Sequence, residues 1–303
     1  MEEMRSRAAA LGLVFIAVAA AGCASQSSPA PAAPPPPGPE LTMPFTFDAP
    51  AGAEQYECFG FDASRLGARW LTGIDWTPPS VGTGAELHHA SLYALPEDYP
   101  DGPVPCDSMP TALTMHIWVP GGSPLTLPAG VAIELPTGTQ RFVVQVHVLR
   151  VTPGPAGTSA VTVHATDVQP EHLAAWLPVS GTVPPLPPHL AAHTATTCIA
   201  GSAMHVLTTT PHMHLLGTSF EGAFVAADGG RSVIVDVPTW SFDHQESYPV
   251  GRDLAAGDGV ETDCTWMNTT DSYVASGSAT SDEMCAQALI VWPAQAVWEA
   301  GCK

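Results

Sequence analysis

Residues Arg141–Val151 read RFVVQVHVLRV. In an extended chain, Phe142, Val144, Val146 and Val148 fall on one side and Val143, Gln145, His147 and Leu149 on the other. This period of two, filled largely by β-branched side chains, predicts a strand. Ser159–Val168, Arg231–Val237 and Cys285–Trp292 are further strand candidates, rich in β-branched or apolar residues. Turn signals such as Gly121-Gly122 and Asp228-Gly229 separate them at short intervals. The 32 prolines and 27 glycines suit many short strands better than long helices. Helical pattern is confined to one or two turns around Pro170–Trp176. The run Pro184-Pro185-Leu186-Pro187-Pro188 marks an inter-domain connector. The expectation is an all-β chain of two tandem antiparallel β-sandwich, jelly-roll-like domains, residues 45–180 and 181–303.

A length of 303 residues accommodates two domains of ~100–200 residues each. Lys and Arg number 9 against 29 Asp and Glu, a net charge of −20. That balance excludes a nucleic-acid surface, which needs clustered bases to neutralise phosphates. It favours metal cations instead. At the N-terminus, Arg5 and Arg7 precede the apolar, small-residue stretch Ala8–Gly22 and then Cys23. This is the layout of a secretory signal, residues 1–22, too short for a membrane span of ~20 apolar residues. Cys23 directly after Ala21-Gly22 resembles a bacterial lipobox, with Cys23 the lipidated first residue of the mature chain. Residues 23–44 then form a Pro/Ala-rich linker with nothing to bury. The expected location is the bacterial cell envelope: a lipid-anchored monomer whose folded body lies in the periplasm or outside the cell. Membrane contact is through the lipid alone. The remaining cysteines, Cys58, Cys106, Cys198, Cys264, Cys285 and Cys302, are even in number and read as three disulfides. Spacing alone leaves their pairing open. None forms a CxxC pair, which argues against redox or zinc-ribbon roles.

Histidines carry the chemistry. There are 12, against the single lysine Lys303. His212 and His214 sit at i and i+2, so in a strand both imidazoles reach one side and one metal ion. His88 and His89 are adjacent, so a regular strand would send them to opposite faces. Sharing one ion would need a local twist or the use of different ring nitrogens.

Taken in order, LHHASLY (Leu87–Tyr93), VVQVHV (Val143–Val148), TPHMHLLG (Thr210–Gly217) and TSDEMC (Thr280–Cys285) resemble the copper type II, ascorbate-dependent monooxygenases. The resemblance covers about Tyr56 to Cys302, with SDEMC its most distinctive piece. It implies two coppers per chain, one held by His88, His89 and His147, the other by His212, His214 and Met284. A thioether is a soft ligand that favours Cu(I), and a zinc site would rarely choose Met. The implied reaction hydroxylates a C–H bond of a small-molecule substrate with O2. Ascorbate or another one-electron reductant supplies electrons, and oxygen is handled at the catalytic His212/His214/Met284 set. The resemblance also implies the disulfides Cys58–Cys106, Cys264–Cys285 and Cys198–Cys302. The alternative function is a non-catalytic copper-binding envelope lipoprotein.

Departures from the family are informative. Where the peptide-amidating branch uses an Arg, an Asn and a Tyr to grip a substrate carboxylate, this chain has Thr210, Ala286 and Ala288. A bidentate clamp is missing, so glycine-extended peptides are excluded and a smaller or more apolar ligand is expected. Tyr56 matches a family Tyr near the first copper, and Gln145 shares the face of His147. The Trp240-Ser241-Phe242-Asp243 run could pack beside the second site. His116, His164, His172, His189, His193, His205 and His244 read as surface or satisfied core residues.

Overall fold

The computed structural model describes residues 38–80, 84–106, 113–296 and Trp298. The signal, Cys23, most of the linker and Cys302 lie outside the described residues. In chain order the first strands are β1 Glu40–Phe47, β2 Glu54–Asp62, β3 Trp70–Thr77, β4 Ala85–Leu95, β5 Val104–Pro105 and β6 Leu113–Trp118. There follow β7 Leu125–Thr126, β8 Val131–Glu134, β9 Arg141–Arg150, β10 Gly157–Thr166 and β11 His172–Ser180. The remainder are β12 Ala191–Ile199, β13 Met204–His212, β14 Gly217–Val225, β15 Arg231–Val237, β16 Tyr248–Leu254, β17 Gly259–Met267 and β18 Ala286–Trp292. Among the described residues the helical content is one 3-10 turn, Ala63–Leu66. The chain is all-β, as its alternation predicts.

The strands form three sheets. One long sheet runs β1-β10-β3-β8-β11-β18-β13-β16, with β7 beside β3. A five-stranded sheet, β5-β2-β9-β4-β6, covers its first part, and a four-stranded sheet, β12-β17-β14-β15, belongs with its second part. The result is two sandwiches that share a layer. Among the strands of the described residues, pairing is antiparallel except between β11 and β8. The described residues belong to one compact unit, Pro37–Lys303, and the strand before residue 181 pairs with β8 on one side and β18 on the other.

β9 shows why these residues make these layers. Phe142, Val144, Val146 and Val148 enter a core shared with Met43, Phe47, Leu71 and Ile74 of the long sheet. The opposite row is also buried: Val143 packs with the Cys58–Cys106 disulfide. Both faces of β9 are covered, which is why the segment is apolar on both sides. Cys264–Cys285 is bonded as expected and ties β17 to the segment before β18. Cys198 is disulfide-bonded.

One element departs from expectation. The helical turns expected around Pro170–Trp176 are absent, because His172 to Trp176 belong to β11. Glu171, Leu173, Ala174 and Ala175 favour a helix locally. Ladders to β8 and β18 on either side give that backbone better-placed partners, and tertiary pairing overrides propensity.

Candidate metal centre

A bulge solves the problem of His88 and His89. Against β9, β4 pairs Leu87 with Val148 and then His89 with His147, so His88 is an extra residue in the ladder. A bulge of this kind shifts the phase of a strand. Accordingly Ala85 and Leu87 enter the core before it, and Ala90, Leu92 and Ala94 after it. Both imidazoles are thereby freed from the core face and meet His147. Ring centroids are 5.2 Å apart for His88–His89, 4.5 Å for His88–His147 and 5.1 Å for His89–His147. One ring nitrogen from each lies within 4.8 Å of the others. Tyr56, opposite His147 in β2, stacks on it at 4.1 Å and meets His89 edge-on.

His212 ends β13, and His214 follows two residues later with its ring 5.2 Å away. Between them Met213 is fully buried in the second sandwich, so the period of two sends both imidazoles to the other side. Gly217, which closes the HMHLLG motif, has no room for a side chain, since a Cβ there would lie 2.7 Å from Trp240 Cδ1. His88 stands 4.8 Å from the ring of His214 and 6.3 Å from that of His212. A nitrogen of His88 lies within 4.8 Å of nitrogens of both. The sequence assigned His88 to the first set alone; the bulge pushes it outward until it borders the second. All five histidines form one cluster. Met284 lines a cavity of about 180 Å³ together with His89 and His212.

Hydrogen bonds fix how these rings point. Gln245 is buried and donates from Nε2 to the Phe242 carbonyl, which leaves Oε1 to accept from His212 Nδ1 at 2.8 Å. His214 Nδ1 donates to the Asp282 carbonyl at 3.0 Å. In both rings the proton is on Nδ1 and the Nε2 lone pair is available, the arrangement that outer partners impose on ligand histidines. His88 Nδ1 bonds Thr280 Oγ1 at 2.8 Å, while His88 Nε2, His89 Nδ1 and His147 Nδ1 are buried without hydrogen-bond partners. Glu54 Oε1 lies 2.5 Å from His147 Nε2 and accepts from the Thr280 N–H. Burial lowers the basicity of every ring: His212 falls to about 4, His214 lies below its ordinary value, and His88 and His89 lie far below it. His147 is also lowered by burial, with the nearby Glu54 charge opposing. Neutral imidazoles with free lone pairs are the form that binds metal.

A carboxylate that the sequence reading passed over organises the second set. Glu283 is fully buried and accepts from the N–H groups of His214, Leu216 and Met284 and from Trp266 Nε1. It thus binds the segment carrying His214 to the segment carrying Met284. Its signal was present in the sequence, an acid directly before the candidate ligand Met284. Glu54 likewise sits at i−2 from Tyr56, on its face of β2. Gln245 gave no such signal. From the Trp240–Asp243 run, Phe242 packs against His88 at 4.8 Å, and Trp240 donates to the His214 carbonyl. Gln145 turns instead to the Cys106 carbonyl. His164, His189, His193 and His205 pair with aspartates, and His172 stacks on Trp292. Thr210, Ala286 and Ala288 line the cavity beside His212.

Residues 178–303 match the model of the copper type II ascorbate-dependent monooxygenase C-terminal domain. No curated protein matches the chain. A solved structure, that of infectious bursal disease virus Gt strain, is similar at 10% identity and a TM-score of 0.22, covering 83% of this chain and 70% of that one. That likeness is too slight to bear on the fold or the site. The matched residues 178–303 carry His212, His214, Glu283 and Met284.

Proposed function

We propose that this protein is a copper-dependent monooxygenase that hydroxylates a C–H bond of a small substrate, using O2 and an external one-electron reductant such as ascorbate. The observation that carries the reading is the convergence of His88, His89 and His147, with His88 Nε2, His89 Nδ1 and His147 Nδ1 buried without hydrogen-bond partners. Buried polar atoms are paired in folded proteins unless an ion, a water or a ligand completes them. Three imidazoles converging within 4.8 Å fit a transition metal. In this reading His88, His89 and His147 hold one copper and His212, His214 and Met284 a second. Bound copper supplies one-electron redox chemistry and the capacity to reduce O2. The chain's own groups do the positioning. Gln245, Thr280 and the Asp282 carbonyl orient the rings, Glu283 holds His214 and Met284 in register, and the cavity beside His212 receives the substrate. Anchoring through a lipidated Cys23 in a bacterial envelope, and a monomeric state, are part of the same proposal and rest on the sequence.

The test is ascorbate-supported, substrate-dependent oxygen uptake by the copper-loaded protein, with metal analysis alongside. Two coppers per chain are expected. Met284→His should keep most of the metal, because imidazole is also a good copper ligand, yet lose most of the turnover because the soft thioether is gone. One copper per chain, or zinc only, overturns the two-site assignment. Two coppers with no uptake on any substrate leaves a non-catalytic copper-binding lipoprotein.

A further inference from the structure

Three strands of the long sheet contribute alternate residues to one face beside the histidines. On β13 these are Thr208, Thr210 and His212; on β18, Ala286, Ala288 and Ile290; on β11, Trp176, Pro178 and Ser180. Cross-strand pairing aligns the rows: Thr210 is opposite Ala288, His212 opposite Ala286, and Trp176 opposite Ile290. Residues i to i+4 of a strand span ~13 Å, so the face is a track of that length starting at His212. Two cavities lie along it. The inner, of about 180 Å³, reaches His212 and Met284, and the outer, of about 170 Å³, reaches His116 and Ser247. Ile117, Trp176, Thr210 and Ala288 line both, so the two are chambers of one slot. Each alone is below the ~300 Å³ of small-molecule sites, and together they reach it.

The chemistry of the walls is one-sided. Among the described residues, no Lys, Arg, Asp or Glu lines either chamber. An ammonium or carboxylate entering the slot would leave water without meeting an opposite charge, which is strongly unfavourable. Away from the histidine cluster, between Thr210 and His116, the polar groups offer protons. Trp176 Nε1 is buried with no hydrogen-bond partner. Thr210 Oγ1 and Ser247 Oγ share one hydrogen bond of 2.7 Å, which leaves one hydroxyl proton free. His116 Nδ1 accepts from Trp76 Nε1 at 3.0 Å, so its proton sits on Nε2.

Resting on the monooxygenase reading for the identity of the site, we infer that the substrate is an uncharged, elongated, mainly apolar molecule bearing a hydrogen-bond-accepting oxygen, as in a ketone, ester or ether. It lies along the slot with its acceptor at the Trp176–Thr210 collar and its reacting carbon toward His212 and Met284. Neither an amine nor a carboxylate fits.

Calorimetric titration of the metal-free full chain tests this without turnover, so its result is independent of whether oxygen uptake is found. The probes are benzylacetone, the primary amine formed from it by reductive amination, hydrocinnamate, and butylbenzene. Benzylacetone is expected to bind at least about tenfold more tightly at neutral pH than the amine or hydrocinnamate. Ala288→Leu, which fills the collar, should weaken benzylacetone by a similar factor. Trp176→Phe should weaken benzylacetone while leaving butylbenzene unchanged, a split that general misfolding would not produce. Equal or tighter binding of either charged probe, no binding of benzylacetone to the folded protein, or indifference to Ala288→Leu overturns the inference. Oxygen uptake that fails while benzylacetone binds as expected would remove the monooxygenase reading and leave the slot.

Discussion

Single side chains decide how the histidine cluster is held, and Glu283 is the clearest case. Burial pushes its carboxyl group up from the ordinary carboxylate range, and the N–H groups of Leu216, His214, Met284 and Trp266 act against that shift. Glu283→Ala would leave four donors unpaired, three of them in ligand-bearing backbone. Each unpaired buried donor costs ~1–3 kcal/mol, so a loss of about 3 kcal/mol or more is expected in urea unfolding. Glu283→Gln keeps one acceptor oxygen and should lose less, and on the proposed reading both variants should bind less copper at the Met284 set. A fully loaded, fully stable Glu283→Ala protein would show that the contacts are incidental. His116 makes a prediction about pH. Burial lowers it from 6.5 to about 4. Between those values the unfolded chain binds a proton that the folded chain does not, so stability falls as pH drops through that window and levels off below it. His116→Gln, which keeps an acceptor for Trp76, should reduce that slope by at most about 3 kcal/mol over the window. The clustered histidines act in the same direction, so the difference between the two proteins is the quantity to read. An unchanged slope would mean that His116 is protonated in the fold.

At the scale of elements, one inserted residue is decisive. The row Leu87, Ala90, Leu92 and Ala94 lies in the core although its first step is three residues and the others two. That uneven step is legible in LHHASLYAL once a bulge is sought, but regular alternation sends His88 and His89 apart. Only the pairing with β9 shows which residue is extra. The strands around Arg141, Ser159, Arg231 and Cys285 were readable because both local propensity and periodicity agree there. β11 was not, because Glu171–Trp176 carries helix-favouring residues and its extended form is imposed by neighbours distant in sequence. The segment between β17 and β18 has little periodic pattern at all. It is fixed by contacts of long range: Cys285 to Cys264, Thr280 to His88 and Glu54, and Tyr56 Oη to the Ser278 carbonyl at 3.2 Å.

For the whole molecule, the shared sheet matters most. β8, β11 and β18 run side by side, so the two sandwiches have no break in hydrogen bonding between them. Ile290 of β18 enters the first core, while its neighbours Leu289 and Val291 enter the second. Neither half can melt without exposing a sheet edge and apolar surface of the other. Scanning calorimetry of the metal-free protein is therefore expected to give one transition, with calorimetric and van't Hoff enthalpies equal. Two resolved transitions would show that residues 45–180 and 181–303 unfold independently.

The all-β class follows from the residues alone, because alternation and turn residues are local and abundant. The sequence also supplied the six candidate ligands, because His and Met in short motifs are chemically conspicuous. The distance between the two candidate ligand sets depends on the folded chain. A bulge, a shared sheet and a loop pinned by Glu54, Thr280 and Glu283 bring His88 to 4.8 Å from His214, although 126 positions separate them in the chain. The slot beside them was likewise hidden, since its walls are alternate residues of β11, β13 and β18. Period two says that such residues share a face; which strands lie side by side, and what covers that face, depends on pairings made across the whole chain.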